Sequence, residues 1–358
     1  MKPRLPRVSL AAWTALLALL AAWLLTWAPP TLAAEAPPEN APEGELARRS
    51  MALQRARQAV LGVQAIALEA ARSNATLGRA RSGSGVLIGA DGLVLTIGYL
   101  VLEAEQVQLV LDDGRSVPAR VLGHDLATGF GLLQALAPLG LAPAPLGRPE
   151  QLRPRQPLMV GSGDGAVGVA ELVARRPFSG YWEYHIDGAL FTRPAWRAHS
   201  GAGLFNAEGE LVGIGSLRLA DIGDDGPGDD GAPRRAGNLF VPVDLLTPIV
   251  AELRGRGYGS ASRRAWLGLN CVEDDGGVRV LRVSDDSPAE LAGLQPGDRI
   301  LRIDGTEVRA LAALWQALWG GGAPERAVTL EIERDRQPQT LTVHSVDRMK
   351  TLRREEGI

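Results

Sequence analysis

The chain has 358 residues, 46% hydrophobic and 22% charged, with a formal net charge of −3. That length accommodates two domains with cores of their own, and mild acidity without a basic stripe excludes a nucleic-acid footprint. The single cysteine, Cys271, excludes an internal disulfide, so packed cores must carry the stability.

Residues 1–34 read as an export leader: Lys2, Arg4 and Arg7, an apolar run from Val8 to Ala28, then small residues at Thr31–Ala34. The run exceeds the usual apolar core of a signal peptide and approaches a membrane span, so a cleaved signal and an uncleaved anchor both fit. Either places the remainder outside the cytoplasm. Residues 35–58 are a Pro/Glu-rich tether and a short helix, with the helical pattern from Ala47 to Gln58.

Short apolar runs with turn signals follow. Val60–Ala67 is a strand, and Gly83–Thr96 is a hairpin turning at Ala90-Asp91-Gly92. Val107–Leu111 and Val117–Leu122 pair around Asp112-Asp113-Gly114. Phe130–Leu136, Pro157–Val160, Val167–Val173 and Tyr181–Ile186 add strands, and Leu204-Phe205 with Leu211–Ile214 forms a hairpin through Asn206–Glu210. This spacing predicts an all-β barrel or sandwich.

Residues 220–237 are an acidic, glycine-rich loop with nothing to fix metal geometry. A helix is expected over Leu245–Leu253 with Asp244 as its N-cap. Residues 254–264 form a Gly/Ser/Arg linker, 265–346 a last domain, and 347–358 a tail. Within the last domain, Ser287-Pro288 to Gly293 is a capped short helix, Arg299–Ile303 and Thr306–Val308 pair across Asp304-Gly305, and Leu311–Trp319 is a helix. Val328–Arg334 and Thr340–Val343 complete the sheet.

The chain is organised around Ala198-His199-Ser200-Gly201-Ala202-Gly203. Glycines beside a serine allow backbone angles closed to other residues, which is how an acyl-transfer enzyme presents a nucleophile beside oxyanion-holding amides. The same residues also fit a plain glycine-rich hairpin.

Residues 59–253 resemble the trypsin-like protease domain of the HtrA (high-temperature-requirement A) family of bacterial envelope proteins, and residues 265–346 resemble the PDZ domain that follows it. The marks are Gly83-Ser84-Gly85-Val86 to Leu95-Thr96, Gly123-His124-Asp125 to Leu133, the Ser200 bend, Phe240–Asp244, Trp266-Leu267-Gly268-Leu269 and Ser287–Gly305. The implied fold is mostly β, a trypsin-like double β-barrel followed by an α+β PDZ domain.

The resemblance implies sites residue by residue. In the stretch where the family has T-N-N-H-V-V, Tyr99 holds the place of the base histidine. Where it has D-x-x-T-D-L-A-V-L, Gly129 holds the place of the orienting aspartate. Ser200 keeps the nucleophile's place, while Ala198, His199 and Ser200 form an altered oxyanion loop reached by a longer path from Asp187. Trp266, Leu267, Gly268 and Leu269 match the loop whose amides hold a peptide's C-terminal carboxylate.

A serine hydroxyl needs a positioned base, and a neutral phenol does not supply one at pH 7. Lysine occurs only at Lys2 and Lys350, so no lysine base is present in the protease-like domain. The four histidines are His124, His185, His199 and His344, none in the family's position. The expectation is an exported, proteolytically inactive HtrA-like protein that binds peptides or unfolded proteins, with C-terminal segments taken by the PDZ domain. It would lie in the periplasm, soluble or anchored to the inner membrane. Two rivals stand: an active endopeptidase using Ser200 with a relocated base, and a regulatory partner of an active HtrA protease, as homo- or hetero-oligomer. No metal or cofactor is implied.

Overall fold

The computed structural model describes residues 43–223 and 235–353. The predicted leader, most of the tether, the middle of the acidic loop and the last residues of the tail lie outside the described residues. Among the described residues no helix is long and apolar enough to cross a membrane.

A helix, α1 (Glu43–Gln58), leads into the first barrel. Its strands are β1 (Val60–Ala67), β2 (Ala80–Leu87), β3 (Leu93–Ile97), β4 (Ala104–Val110), β5 (Ser116–His124) and β6 (Phe130–Ala135). They close in the order β1-β2-β3-β6-β5-β4, with two one-turn helices, α2 (Asn74–Leu77) and α3 (Gly98–Val101), between them. The tight turns form at glycines in left-handed backbone, Gly92 (φ 85°) and Gly114 (φ 84°). Inward side chains such as Leu95, Ile97, Phe130 and Leu132 are fully buried and fill the barrel.

The second barrel repeats the plan with β7 (Pro157–Gly161), β8 (Val167–Gly180), β9 (Tyr184–Arg193), β10 (Gly203–Phe205), β11 (Leu211–Leu219) and β12 (Gly237–Pro242), closing as β10-β11-β12-β9-β8-β7. The expected strand Tyr181–Ile186 is divided: Tyr181–Glu183 is a turn, because β8 runs on to Gly180 before the chain reverses. The turn's role emerges below.

The helix expected over Leu245–Leu253 is corrected by the structure. Residues Val243–Leu245 make a 3-10 turn, and the α-helix α4 spans Val250–Arg256. Pro248 lacks an N–H and disfavours helical backbone at Thr247, so a continuous helix from Asp244 is not possible. Asp244 is therefore no cap; its carboxylate pairs with Arg175 at 2.7 Å. The expected linker begins inside α4, which ends at Gly257 in left-handed backbone. The linker is tied down: Ser262 Oγ donates to Asp125 and Arg264 donates to the Leu126 carbonyl at 2.7 Å.

The last unit has a sheet ordered β14 (Leu269–Asp274), β15 (Gly277–Val283), β16 (Arg299–Ile303), β18 (Ala327–Arg334), β19 (Gln337–His344), with β17 (Thr306–Glu307) pairing β16. Two helices cover it, α5 (Pro288–Leu291) and α6 (Leu311–Gly320). Ser287 caps α5 by accepting the Glu290 amide, as its Ser-Pro start predicts. The core gathers Trp315 and Leu314 from α6 with Val280, Ile300, Leu330 and Ile332 from the sheet. The start of the expected tail is structured: β13 (Ala265–Trp266) pairs with β20 (Val346–Asp347). The Arg353 amide donates to Glu103 on the first barrel at 2.9 Å.

Candidate active site and carboxylate loop

Ser200 stands just before β10 on the second barrel, and Tyr99 stands in α3 on the first. The barrels meet at this point. The Ser84 amide donates to the Ser200 carbonyl at 2.8 Å, the Gly163 amide donates to Ser84 Oγ at 2.8 Å, and Thr96 Oγ1 donates to the Ser84 carbonyl. Behind Ser200, the Gly201 amide donates to Gly215 and the Gly215 amide to Ala202, each at 2.8 Å. Gly215 admits no side chain, since a Cβ there would lie 2.0 Å from the His199 carbonyl.

Across this seam, Tyr99 Oη lies 2.8 Å from Ser200 Oγ and 2.8 Å from the Ser216 carbonyl. A phenol has one hydrogen and a carbonyl only accepts, so Tyr99 donates to Ser216. The Ser200 hydroxyl then donates to the Tyr99 oxygen. Burial pushes the Tyr99 phenol up to about 12, the bond to Ser200 opposing, so it holds its proton at neutral pH.

The sign of this shift gives a checkable result. Tyr99 ionises near pH 10 when unfolded and near 12 when folded, so below pH 10 it adds no pH dependence. From 10 to 12 the native state binds more protons, and stability is expected to fall by up to about 1.4 kcal/mol per unit. Tyr184, also raised by burial, acts with the same sign. Alkaline urea titrations of wild type and Tyr99→Phe isolate the Tyr99 share as the difference.

Gly129 sits at φ 87°, and a Cβ on it would lie 3.2 Å from the Tyr184 hydroxyl. Tyr184, whose hydroxyl donates to the Thr128 carbonyl at 2.8 Å, thus lies in tight contact with the place where a side chain at 129 would begin. Asp125, the buried carboxylate of this stretch, accepts the Thr128 amide and hydroxyl, each at 2.8 Å, besides Ser262. It braces its own turn and the linker.

Sequence reading placed Tyr99 and Ser200 in corresponding positions, and the structure brings them together. It does not bring a histidine to them: among the described residues no imidazole bonds to Ser200 Oγ. His199 Nδ1 donates to the Arg197 carbonyl at 3.0 Å, and burial lowers its ring below the usual value. The lengthened path to Ser200 is clasped by Asn238, which accepts the Trp196 amide and donates to its carbonyl at 3.1 Å. Gly168 leaves room for the Trp196 ring, which a Cβ would meet at 2.4 Å.

Two features escaped sequence reading. Ser179, His185 and Asp187 line up on β8 and β9, with Ser179 Oγ 2.8 Å from His185 Nδ1 and His185 Nε2 3.3 Å from Asp187. The register places Ser179 opposite His185, which the unequal strand bounds concealed. The second feature involves Trp266–Leu269. The Leu267, Gly268 and Leu269 amides donate to Glu183 Oε1 at 3.1, 2.7 and 3.0 Å. Glu183 comes from the β8–β9 turn and is 2% exposed. Burial pushes its carboxyl up, against the Arg348 guanidinium and the three amides that hold it down. Arg348 and Arg264 both donate to the Glu183 backbone carbonyl.

The comparisons agree with this architecture. The trypsin-like peptidase domain family matches residues 83–214, and the PDZ domain family matches residues 265–344. A "Probable periplasmic serine endoprotease DegP-like" of Marinomonas sp. (strain MWYL1) is 30% identical over 284 residues, 74% of this chain and 57% of the relative. A protein of the same description from Ectopseudomonas mendocina (strain ymp) is 28% identical, covering 73% of this chain and 55% of the relative. The chain thus spans about half the length of these curated relatives. The solved structure "HtrA-type protease AlgW with decapeptide" shares the fold, with a TM-score of 0.51 at 21% identity over 84% of this chain and 98% of that one. A trypsin-like double barrel joined to a PDZ domain, with periplasmic DegP-like proteins among its relatives, places the chain in the HtrA family.

Proposed function

We propose that this is an exported, proteolytically inactive HtrA-family protein, which binds unfolded proteins or C-terminal segments in the periplasm and keeps Ser200 as part of a structural bend. One observation carries the reading: the group beside the Ser200 hydroxyl is the Tyr99 phenol, whose own proton goes to the Ser216 carbonyl. General-base catalysis needs a proton acceptor of moderate pKa at that place. A phenol raised to about 12 stays neutral and is no such acceptor. The peptide-binding part of the reading is supported by the Leu267–Leu269 amides, which converge on a carboxylate.

A fluorophosphonate probe on wild type, Ser200→Ala and Ser179→Ala tests the inactive reading, with unfolded casein as a substrate. Equal background labelling of all three and intact casein are expected. Labelling lost in Ser200→Ala together with cleavage would establish an active endopeptidase with an unforeseen base. Labelling lost only in Ser179→Ala would move the chemistry to the second barrel's Ser179–His185–Asp187 alignment.

A further inference from the structure

The carboxylate loop of the PDZ unit is already filled from within the chain. Three successive amides converge on one Glu183 oxygen, which requires the backbone to turn sharply at Gly268 (φ 89°). A Cβ at 268 would lie 2.3 Å from that of Ser287, so the turn is specific to glycine. The residues before Glu183 continue the likeness to a bound peptide. Trp182 forms an antiparallel bridge with Asn270, and the Cys271 amide donates to the Tyr181 carbonyl at 2.6 Å. Stepping back from Glu183, each residue therefore meets the next position of β14, the ladder that an added strand forms with a sheet edge.

The facing helix completes the enclosure. Trp315 of α6 is fully buried, and its Nε1 donates to the Gly180 carbonyl at 3.1 Å. Gln316, one residue on, lies 3.3 Å from His185 Nε2. Trp182 stacks on Tyr184 at 5.5 Å, which stiffens the turn.

We propose that the β8–β9 turn is an internal ligand of the PDZ groove, with the Glu183 side chain in the place of a peptide's terminal carboxylate, so that an external C-terminal segment binds only after this turn withdraws. The inference rests on the peptide-binding reading above and adds its regulation. Peptide binding and docking of the PDZ unit on the second barrel are then mutually exclusive. A ligand must supply a free carboxylate and an extended backbone, since those are what the turn supplies.

The test uses the full chain and a pool of fluorescent decapeptides with randomised last four positions and a free carboxylate, beside the same pool amidated. Glu183→Ala is expected to bind the free-carboxylate pool about tenfold or more tightly than wild type, as when the competent state of the wild type is a tenth or less of the population. The amidated pool should show no such gain. Glu183→Gln, which keeps the side chain's shape and one acceptor oxygen, should fall between the two and serves if Glu183→Ala folds poorly. Equal binding by wild type and both variants overturns the internal ligand alone. No binding by any of them overturns the peptide-receptor reading and the latch with it.

Discussion

Tyr99→His is expected to leave proteolysis about 10,000-fold short of an intact triad, because an imidazole without its orienting carboxylate loses a factor of that order. The substitution supplies a base of suitable pKa beside Ser200, where the phenol oxygen is now 2.8 Å away. Nothing at position 129 then steadies the ring. Adding Gly129→Asp does not repair this: the backbone there is left-handed at φ 87°, and the new Cβ would press on the Tyr184 hydroxyl at 3.2 Å. Asp125 is no substitute, since its oxygens hold Thr128 and Ser262. Cleavage of unfolded casein by the single and double variants checks the argument. A fully active single variant would mean that some other group orients the imidazole, and the inactive reading would lose its physical basis.

Gly201→Ala is expected to cost about 4 kcal/mol or more, among the exceptional single substitutions. A Cβ at 201 would lie 1.9 Å from the Ser84 carbonyl and 2.8 Å from Thr96 Oγ1, in backbone at φ 74°. Neither neighbour yields cheaply: Ser84 lies in the paired hairpin of the first barrel, and Thr96 donates its hydroxyl to that carbonyl. Ser200→Ala next door removes one side-chain hydrogen bond and should change stability by about 1 kcal/mol or less. Urea unfolding of the two variants separates the roles. A large loss at 201 and a small one at 200 is what a bend kept for its backbone requires. Comparable losses would mean that the hydroxyl itself holds the barrels together.

The two results bear on one feature. The bend joins the barrels through backbone groups of Ser200 and its neighbours, a structural role that does not depend on the Ser200 hydroxyl's chemistry. Its backbone demands are met at Ser84, Ala202 and Gly215, whether or not Ser200 serves as a nucleophile.

Much of the fold was legible because its signals are local. A short apolar run gives β1 with the observed bounds, Asp91-Gly92 and Asp112–Gly114 mark turns that form at left-handed glycines, and Ser287-Pro288 announces a helix that does begin there. The helix expected over Leu245–Leu253 starts later, at Val250, because Pro248 is a local signal that opposes helix at Thr247.

By itself, the sequence determined short strands between turns, and its resemblance to the HtrA family implied the double barrel, the PDZ unit, and a phenol and a glycine at the base and orienting positions. Only the tertiary structure decided where the phenolic proton goes, that Tyr184 lies against position 129, and that Glu183 reaches the amides of Leu267–Leu269. The reason is the range of the interactions. Periodicity and turn chemistry act between near neighbours, whereas a hydroxyl meeting a carbonyl, or a carboxylate meeting a nest of amides, depends on how separately folded units pack.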